Sequence, residues 1–269
     1  MTLRIRSRQL LRQLAQSVSI VAAPLAALVF GGAAVAEGGV SSGWHSNYNS
    51  RARLLAGNDA ARRPASILAA VEIETRSDWK TYWINPGDAG VPPSFDWSKS
   101  HNLKAVKVHY PAPYRFEDKA GTTFGYLGGV AFPVTVTPED PAKPVTLRVA
   151  IEYGICKDIC VPAQAELAVE IAPAPAHLAP AALVEASARL PRQRGQEQAD
   201  DPVIEAIDIT STGEQPRIVL KVKAAGPTEL QDAFLVAEDG SFMPLPVREA
   251  GDAPDRVRFV VDLTKDVDV

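Results

Sequence analysis

Apolar and polar residues alternate with a period of two over many short stretches of this chain, and the alternation predicts strands. Ile67, Ala69, Val71 and Ile73 share one face of a strand over 66–75, and Val106, Val108 and Tyr110 share one face over 103–110. Val130 to Thr137, Val145 to Tyr153 and Glu166 to Ile171 read as further strands. Shorter ones are expected at Arg51 to Ala56, as a first edge, and at Ser94 to Trp97. Ser77 to Trp83 continues the 66–75 pattern with Trp79, Tyr82 and Trp83, and Asn85-Pro86-Gly87-Asp88-Ala89-Gly90 is a turn by composition. Strands at this spacing, separated by Pro/Gly turns, predict an all-β chain built as a β-sandwich. Pro111 to Gly129 breaks the pattern and reads as a long loop. It carries Tyr114, Phe116, Phe124 and Tyr126, and aromatic residues in a loop must cover something or stay exposed at a cost.

After Ile171 the character changes. Ala172-Pro173-Ala174-Pro175-Ala176 is a stiff connector, Ala179 to Leu190 has room for a short helix, and Pro191 to Asp201 is polar. A second β pattern then runs through Ile204–Thr210, Arg217–Val222, Ala233–Ala237, Phe242–Val247 and Arg256–Leu263, with Asp239-Gly240 as a hairpin signal. The expected organisation is a leader over 1–36, a first β domain over 37–172, a linker with a helix over 173–202, and a second, smaller β-sandwich-like domain over 203–269. The chain stops at Val269 soon after a strand, which leaves the completeness of that last domain open.

Composition narrows the picture. A chain of 269 residues, 46% hydrophobic, has room for two domains with real cores. Arg4, Arg6, Arg8 and Arg12 precede an apolar run from Val18 to Phe30, and Ala34-Val35-Ala36 matches a small-x-small cleavage site, so an exported mature chain starting near Glu37 is expected. Without those four arginines the net charge of -4 falls to about -8, and no basic block is left for nucleic acid. Export implies an oxidising compartment, where a disulfide can persist.

Both cysteines lie in Tyr153-Gly154-Ile155-Cys156-Lys157-Asp158-Ile159-Cys160-Val161-Pro162, between two expected strands and close enough to bridge each other. Four readings are open. A structural staple over so small a loop would remove little unfolded-state entropy, roughly 2 kcal/mol. A redox pair is favoured by exposure at a strand end; Lys157 would favour a thiolate there and Asp158 would oppose it. Cu(I) binding is the third: two thiolates four apart suit a soft ion, with His45, His101, His109 or His177 as candidates for a third ligand. Inert thiols are the fourth. The chain has no phosphate-cradling glycine loop, no paired histidines at metal spacing and no Gly-x-Ser-x-Gly elbow.

Trp79-Lys80-Thr81-Tyr82-Trp83, Asn85-Pro86-Gly87-Asp88, Phe95-Asp96-Trp97, Tyr110-Pro111-Ala112-Pro113 and the cysteine segment ending in Val161-Pro162 resemble the periplasmic N-terminal domain of the thiol:disulfide interchange protein DsbD, in particular the branch of the copper-sensitivity suppressor ScsB. The resemblance covers about Trp44 to Ile171 well and the later domain less specifically. It implies an immunoglobulin-like fold and a periplasmic location. It also implies that Cys156 and Cys160 accept electrons relayed by a membrane protein and pass them to periplasmic thioredoxin-fold proteins, in disulfide reduction, cytochrome c maturation or copper tolerance. On this reading the chain is a protein-disulfide reductase component, Cys160 attacks and Cys156 resolves. A cap loop would run from Phe116 to Tyr126 with Phe124 as the lid, and Tyr82 would lie beside the sulfurs. No cofactor, metal or nucleic acid is expected; the alternative is a Cu(I)-binding or non-enzymatic interaction module with a structural bridge. The cysteines stand closer together here than in the enterobacterial DsbD domain, and no membrane or thioredoxin-like segment is present in the 269 residues.

Overall fold

The computed structural model describes residues 39–59, 66–118, 121–173, 180–211, 215–227, 232–236 and 243–264. The expected leader and its cleavage site, His177 and Asp239-Gly240 lie outside the described residues. All the described residues fall within one compact unit, 36–269.

Among the described residues the regular structure is strands, apart from one short helix. In order these are β1 (Val40–Ser41), β2 (His45–Asn47), β3 (Ser50–Asp59), β4 (Ser66–Thr75), β5 (Lys80–Gly87), β6 (Ser94–Asp96), β7 (Leu103–Val108), β8 (Tyr114–Asp118), β9 (Gly121–Leu127), β10 (Gly129–Pro138), β11 (Val145–Cys156) and β12 (Cys160–Ile171). Helix α1 (Ala181–Ala188) follows, then β13 (Val203–Thr210), β14 (Arg217–Lys223), β15 (Val247–Ala250) and β16 (Arg256–Asp262). The first sheet runs β1-β3-β4-β10-β7, with β2 also on β3; the second runs β12-β11-β5-β9-β8, with β6 also on β11. Together they form an immunoglobulin-like β-sandwich.

Period-two alternation builds the core between these sheets. Along β11, Val145, Leu147, Val149, Ile151, Tyr153 and Ile155 are buried, while Arg148 and Glu152 are exposed. Ala163, Ala165, Leu167, Val169 and Ile171 do the same along β12. The first sheet answers with Ala69, Val71 and Ile73 of β4 and Phe132, Val134 and Val136 of β10. Phe132 is the hub: Phe95, Tyr110 and Tyr126 meet its ring edge-on at 5.7, 5.2 and 5.7 Å.

Helix α1 falls inside the expected 179–190 segment and turns Leu183 and Ala186 inward, against β4 and β10. The third sheet, β13-β14-β16-β15, has a small buried cluster of its own, Val222, Val257 and Phe259. Three of its strands lie where alternation placed them. In the other two expected stretches, described residues 233–236 and 243–246 are irregular instead, and Val247, the end of the second, opens the fourth strand, β15. The irregular residues have another use: Phe234 and Leu245 pack against the core of the sandwich rather than that of their own sheet.

Two further expectations change. Arg51–Ala56 is no edge: β3 lies between β4 on one side and β1 and β2 on the other. The expected loop 111–129 contains a hairpin, β8 paired with β9 from Tyr114↔Gly125 to Asp118↔Gly121. Its glycines, which read as loop signals, answer to sheet geometry. A Cβ on Gly125 would collide with the Thr81 carbonyl oxygen of β5, so the two strands meet closely only because the side chain is absent.

Candidate functional site

The site grows from the far end of the longest hairpin in the sandwich. β11 and β12 pair without a break from Val145↔Ile171 to Cys156↔Cys160, so the cysteines are the last cross-strand partners, and Lys157, Asp158 and Ile159 form the loop beyond them. The Lys157 amide donates to the Ile159 carbonyl at 3.2 Å and closes that loop. Cys156 and Cys160 are joined by a disulfide, with Cα atoms 4.2 Å apart. The two sulfurs differ in access: Cys156 is 2% exposed, whereas Cys160 is exposed.

Burial near the bridge departs from alternation. Tyr153, Gly154, Ile155 and Cys156 are all buried, so both faces of β11 are covered at this end. The second cover is the segment after β5. The Gly154 amide donates to the Val91 carbonyl at 3.3 Å, and the Val91 side chain lies over Gly154. Gly90 sits against the ring of Tyr82 with φ +127°, a position where a side chain would be strained and would strike the ring. Of the stretch predicted as a turn, Asn85 to Gly87 belong to β5, and the end that follows covers Tyr82. It is tied down where Asp88 Oδ2 accepts from the Thr122 amide at 2.7 Å.

Tyr82 is buried beneath this lid, and its hydroxyl lies 3.5 Å from Cys160 Sγ. A disulfide sulfur carries no hydrogen, so the phenol donates. Lys80, two residues earlier on the same face of β5, is only 8% exposed; it is the register partner of Cys156 on one side and Leu127 on the other. Its ammonium donates to Thr123 Oγ1 at 2.9 Å and lies 5.3 Å from the Phe116 ring and 5.9 Å from the Tyr82 ring. A row of contacts thus runs from Phe116 through Lys80 and Tyr82 to Cys160. Alternation in the sequence places Lys80 on the face of Tyr82, opposite Thr81 and Trp83.

Lys157, expected to favour a thiolate, is engaged elsewhere. Its ammonium donates to Asp78 Oδ2 at 2.7 Å, which ties the loop to the β4–β5 turn. That bond holds the Asp78 carboxyl below its ordinary value and raises the Lys157 ammonium. Nothing in the spacing of Asp78 pointed to this contact, which links positions 79 residues apart.

The remaining residues of the expected cap occupy two faces of the β8–β9 hairpin. Phe116 faces Lys80. Phe124 is buried on the other face, where its ring meets Phe234 edge-on at 5.1 Å and the Arg115 guanidinium lies 5.1 Å from it. Tyr126 is buried beside Phe132, and its hydroxyl donates to the Pro111 carbonyl at 2.7 Å. Burial pushes the Tyr126 phenol up, and pushes that of Tyr110 up to about 12. Of the candidate third ligands for Cu(I), His109 bonds Thr135 Oγ1 at 2.8 Å and His101 bridges to Thr146 through its backbone. Among the described residues no three His, Cys, Asp or Glu side chains are grouped to hold a metal ion. No helix among them is long and apolar enough to cross a membrane.

Residues 51–171 match the family model of the thiol:disulfide interchange protein DsbD, N-terminal. Among solved structures, the chain is similar to the N-terminal periplasmic domain of ScsB from Proteus mirabilis, with 21% sequence identity and a TM-score of 0.61, over 85% of this chain and 87% of that one. At that identity the likeness shows the fold. No curated protein matches the chain.

Proposed function

We propose that this chain, whose residues 51–171 are a DsbD N-terminal-like domain, passes electrons to periplasmic thioredoxin-fold proteins by thiol–disulfide exchange through Cys156 and Cys160. The observation that carries the reading is the unequal exposure of the two sulfurs at a hairpin tip, the exposed one bonded by a phenol.

The chemistry follows from that asymmetry. In the reduced pair the Cys160 thiolate attacks one sulfur of a partner disulfide. The partner S–S bond breaks, its second sulfur leaves as a thiolate, and a mixed disulfide forms on Cys160. Cys156, buried alongside, then attacks Cys160 Sγ. The intramolecular bridge reforms, the partner's first sulfur leaves, and both partner thiolates take up protons. Two electrons have moved to the partner. Recharging runs the same steps backwards from an external dithiol, which meets Cys160 first. Tyr82 donates to whatever negative charge develops on that sulfur. Lys157, held by Asp78, fixes the loop rather than the charge. Disulfide isomerases, cytochrome c maturation thioredoxins and copper-tolerance proteins are the partner classes that this reading admits.

The test is an equilibrium redox titration of the oxidised chain in glutathione or dithiothreitol buffers, read by thiol trapping. A potential of about -120 to -270 mV is expected, the range of exchange proteins. A value below about -300 mV would mark a structural bridge and sink the reading. Cys156→Ser is expected to accumulate a mixed disulfide with a thioredoxin-fold partner, and Cys160→Ser to form none.

A further inference from the structure

The β8–β9 hairpin is held on two faces. One face belongs to the site: Phe116 of β8 and Thr123 of β9 both meet the Lys80 ammonium, which adjoins Tyr82, which bonds Cys160. The neighbouring residues, Arg115 and Phe124, point the other way by alternation. That second face is occupied by the connection between β14 and β15 of the third sheet. Arg115 Nε and Nη2 donate to the two oxygens of Asp232 at 2.7 and 2.8 Å, a two-pronged ion pair. Phe234 inserts its ring against Trp83 at 5.6 Å and Phe124 at 5.1 Å, both edge-on. Leu245 adds to the same packing against the core. The third sheet thus packs this connection on the sandwich, while among the described residues its own core has three buried side chains.

We propose that Asp232 and Phe234 are positioning residues for the disulfide: they grip the β8–β9 hairpin from behind and so keep Phe116 on Lys80 and Tyr82 over Cys160. The region after residue 202 then has a part in the exchange although it contains no cysteine or histidine. The idea rests on the exchange reading above and concerns the rate of that reaction. Releasing the grip frees the hairpin to move away from Lys80, which loosens the Lys80–Tyr82 contact and lets the phenol swing off Cys160 Sγ, clearing the side of that exposed sulfur on which it stands. The bond that forms and the bond that breaks are unchanged, so the equilibrium potential stays where it was.

The test uses the full chain in its oxidised form and follows its reduction by excess dithiothreitol with thiol trapping. Asp232→Asn is expected to speed reduction about two- to five-fold, the range that one partly exposed ion pair can supply. The exchanged pair, Arg115→Asp with Asp232→Arg, is expected to bring the rate back towards wild type. Phe234→Leu, which keeps apolar volume in the contact, is expected to act in the direction of Asp232→Asn and guards against a variant that folds poorly. In each variant the potential should match wild type. A contact that serves stability alone would shift the unfolding midpoint and leave the reduction rate untouched; wild-type rates in Asp232→Asn and Phe234→Leu would overturn the proposal, as would a charge exchange that stays as fast as the single variant. A wild-type bridge that resists dithiothreitol altogether would instead overturn the exchange reading, and this inference with it.

Discussion

At the bridge the two sulfurs are distinguished by what surrounds them. Cys156 is buried between β5 and β12, with Lys80 and Cys160 as its register partners, while Cys160 is exposed and its Sγ faces the Tyr82 phenol. The loop between them is fixed by charge. Asp78 and Lys157 are both solvent-exposed, so their pair contributes position more than stability. Its pH window follows from the two shifts. The Asp78 carboxyl is held below its ordinary value of 3.8 chiefly by the bond from Lys157, so its contribution is present above the unfolded value and is lost as pH falls through the lowered one. The Lys157 ammonium is raised above 10.5 by the same bond, so its contribution is present below that value and is lost as pH rises through the raised one. The clamp is therefore closed throughout the neutral range. Carboxyl carbon NMR is expected to show Asp78 titrating below 3.8, and Lys157→Met should move the midpoint up towards it. An Asp78 midpoint unaffected by that substitution would mean that the pair does not form in solution.

At the scale of elements, three exposed apolar residues lie at the strand ends and loops about the bridge. Ile159 is 64% exposed in the loop, Val91 is exposed in the cover, and Leu127 ends β9 two strands across from Cys156. Exposed apolar residues about an exposed sulfur suit a macromolecular partner better than a small thiol. Ile159→Asp is thus expected to slow reduction of a thioredoxin-fold substrate about tenfold, as loss of one buried apolar contact would, and to leave dithiothreitol reduction within about twofold. Equal slowing with both would place the effect on the bridge rather than on docking. Much of this scale was legible in the sequence. β4, β10, β11 and β12 announce themselves because each buries one face, which period two records directly. The β8–β9 hairpin did not, because its glycines serve close strand approach and so imitate loop residues. The cover over Tyr82 was legible in part as a turn, but its task was not: Gly90 packs on Tyr82 of the strand just before it, and Val91 on Gly154, which is distant in sequence. The bridge itself was visible as a pair of close cysteines. The grip of Asp232 on Arg115, across 117 residues, had no local pattern to betray it.

Taken whole, the molecule places its covalent link where the architecture needs it least. The twelve cross-strand pairs from Val145↔Ile171 to Cys156↔Cys160 already bring the two chain segments together, and the bridge only closes the three-residue loop at their end. Cutting it returns roughly 2 kcal/mol of loop freedom to the unfolded chain and leaves the ladder standing. Amide hydrogen exchange should therefore give superimposable protection over 145–155 and 161–171 in the oxidised and reduced forms, with differences confined to the tip. Loss of protection along the whole of β11 on reduction would refute this. On the exchange reading proposed above, a molecule so arranged works as an electrode does, donating and accepting at one fixed surface, turnover after turnover, with no refolding step between its two covalent states.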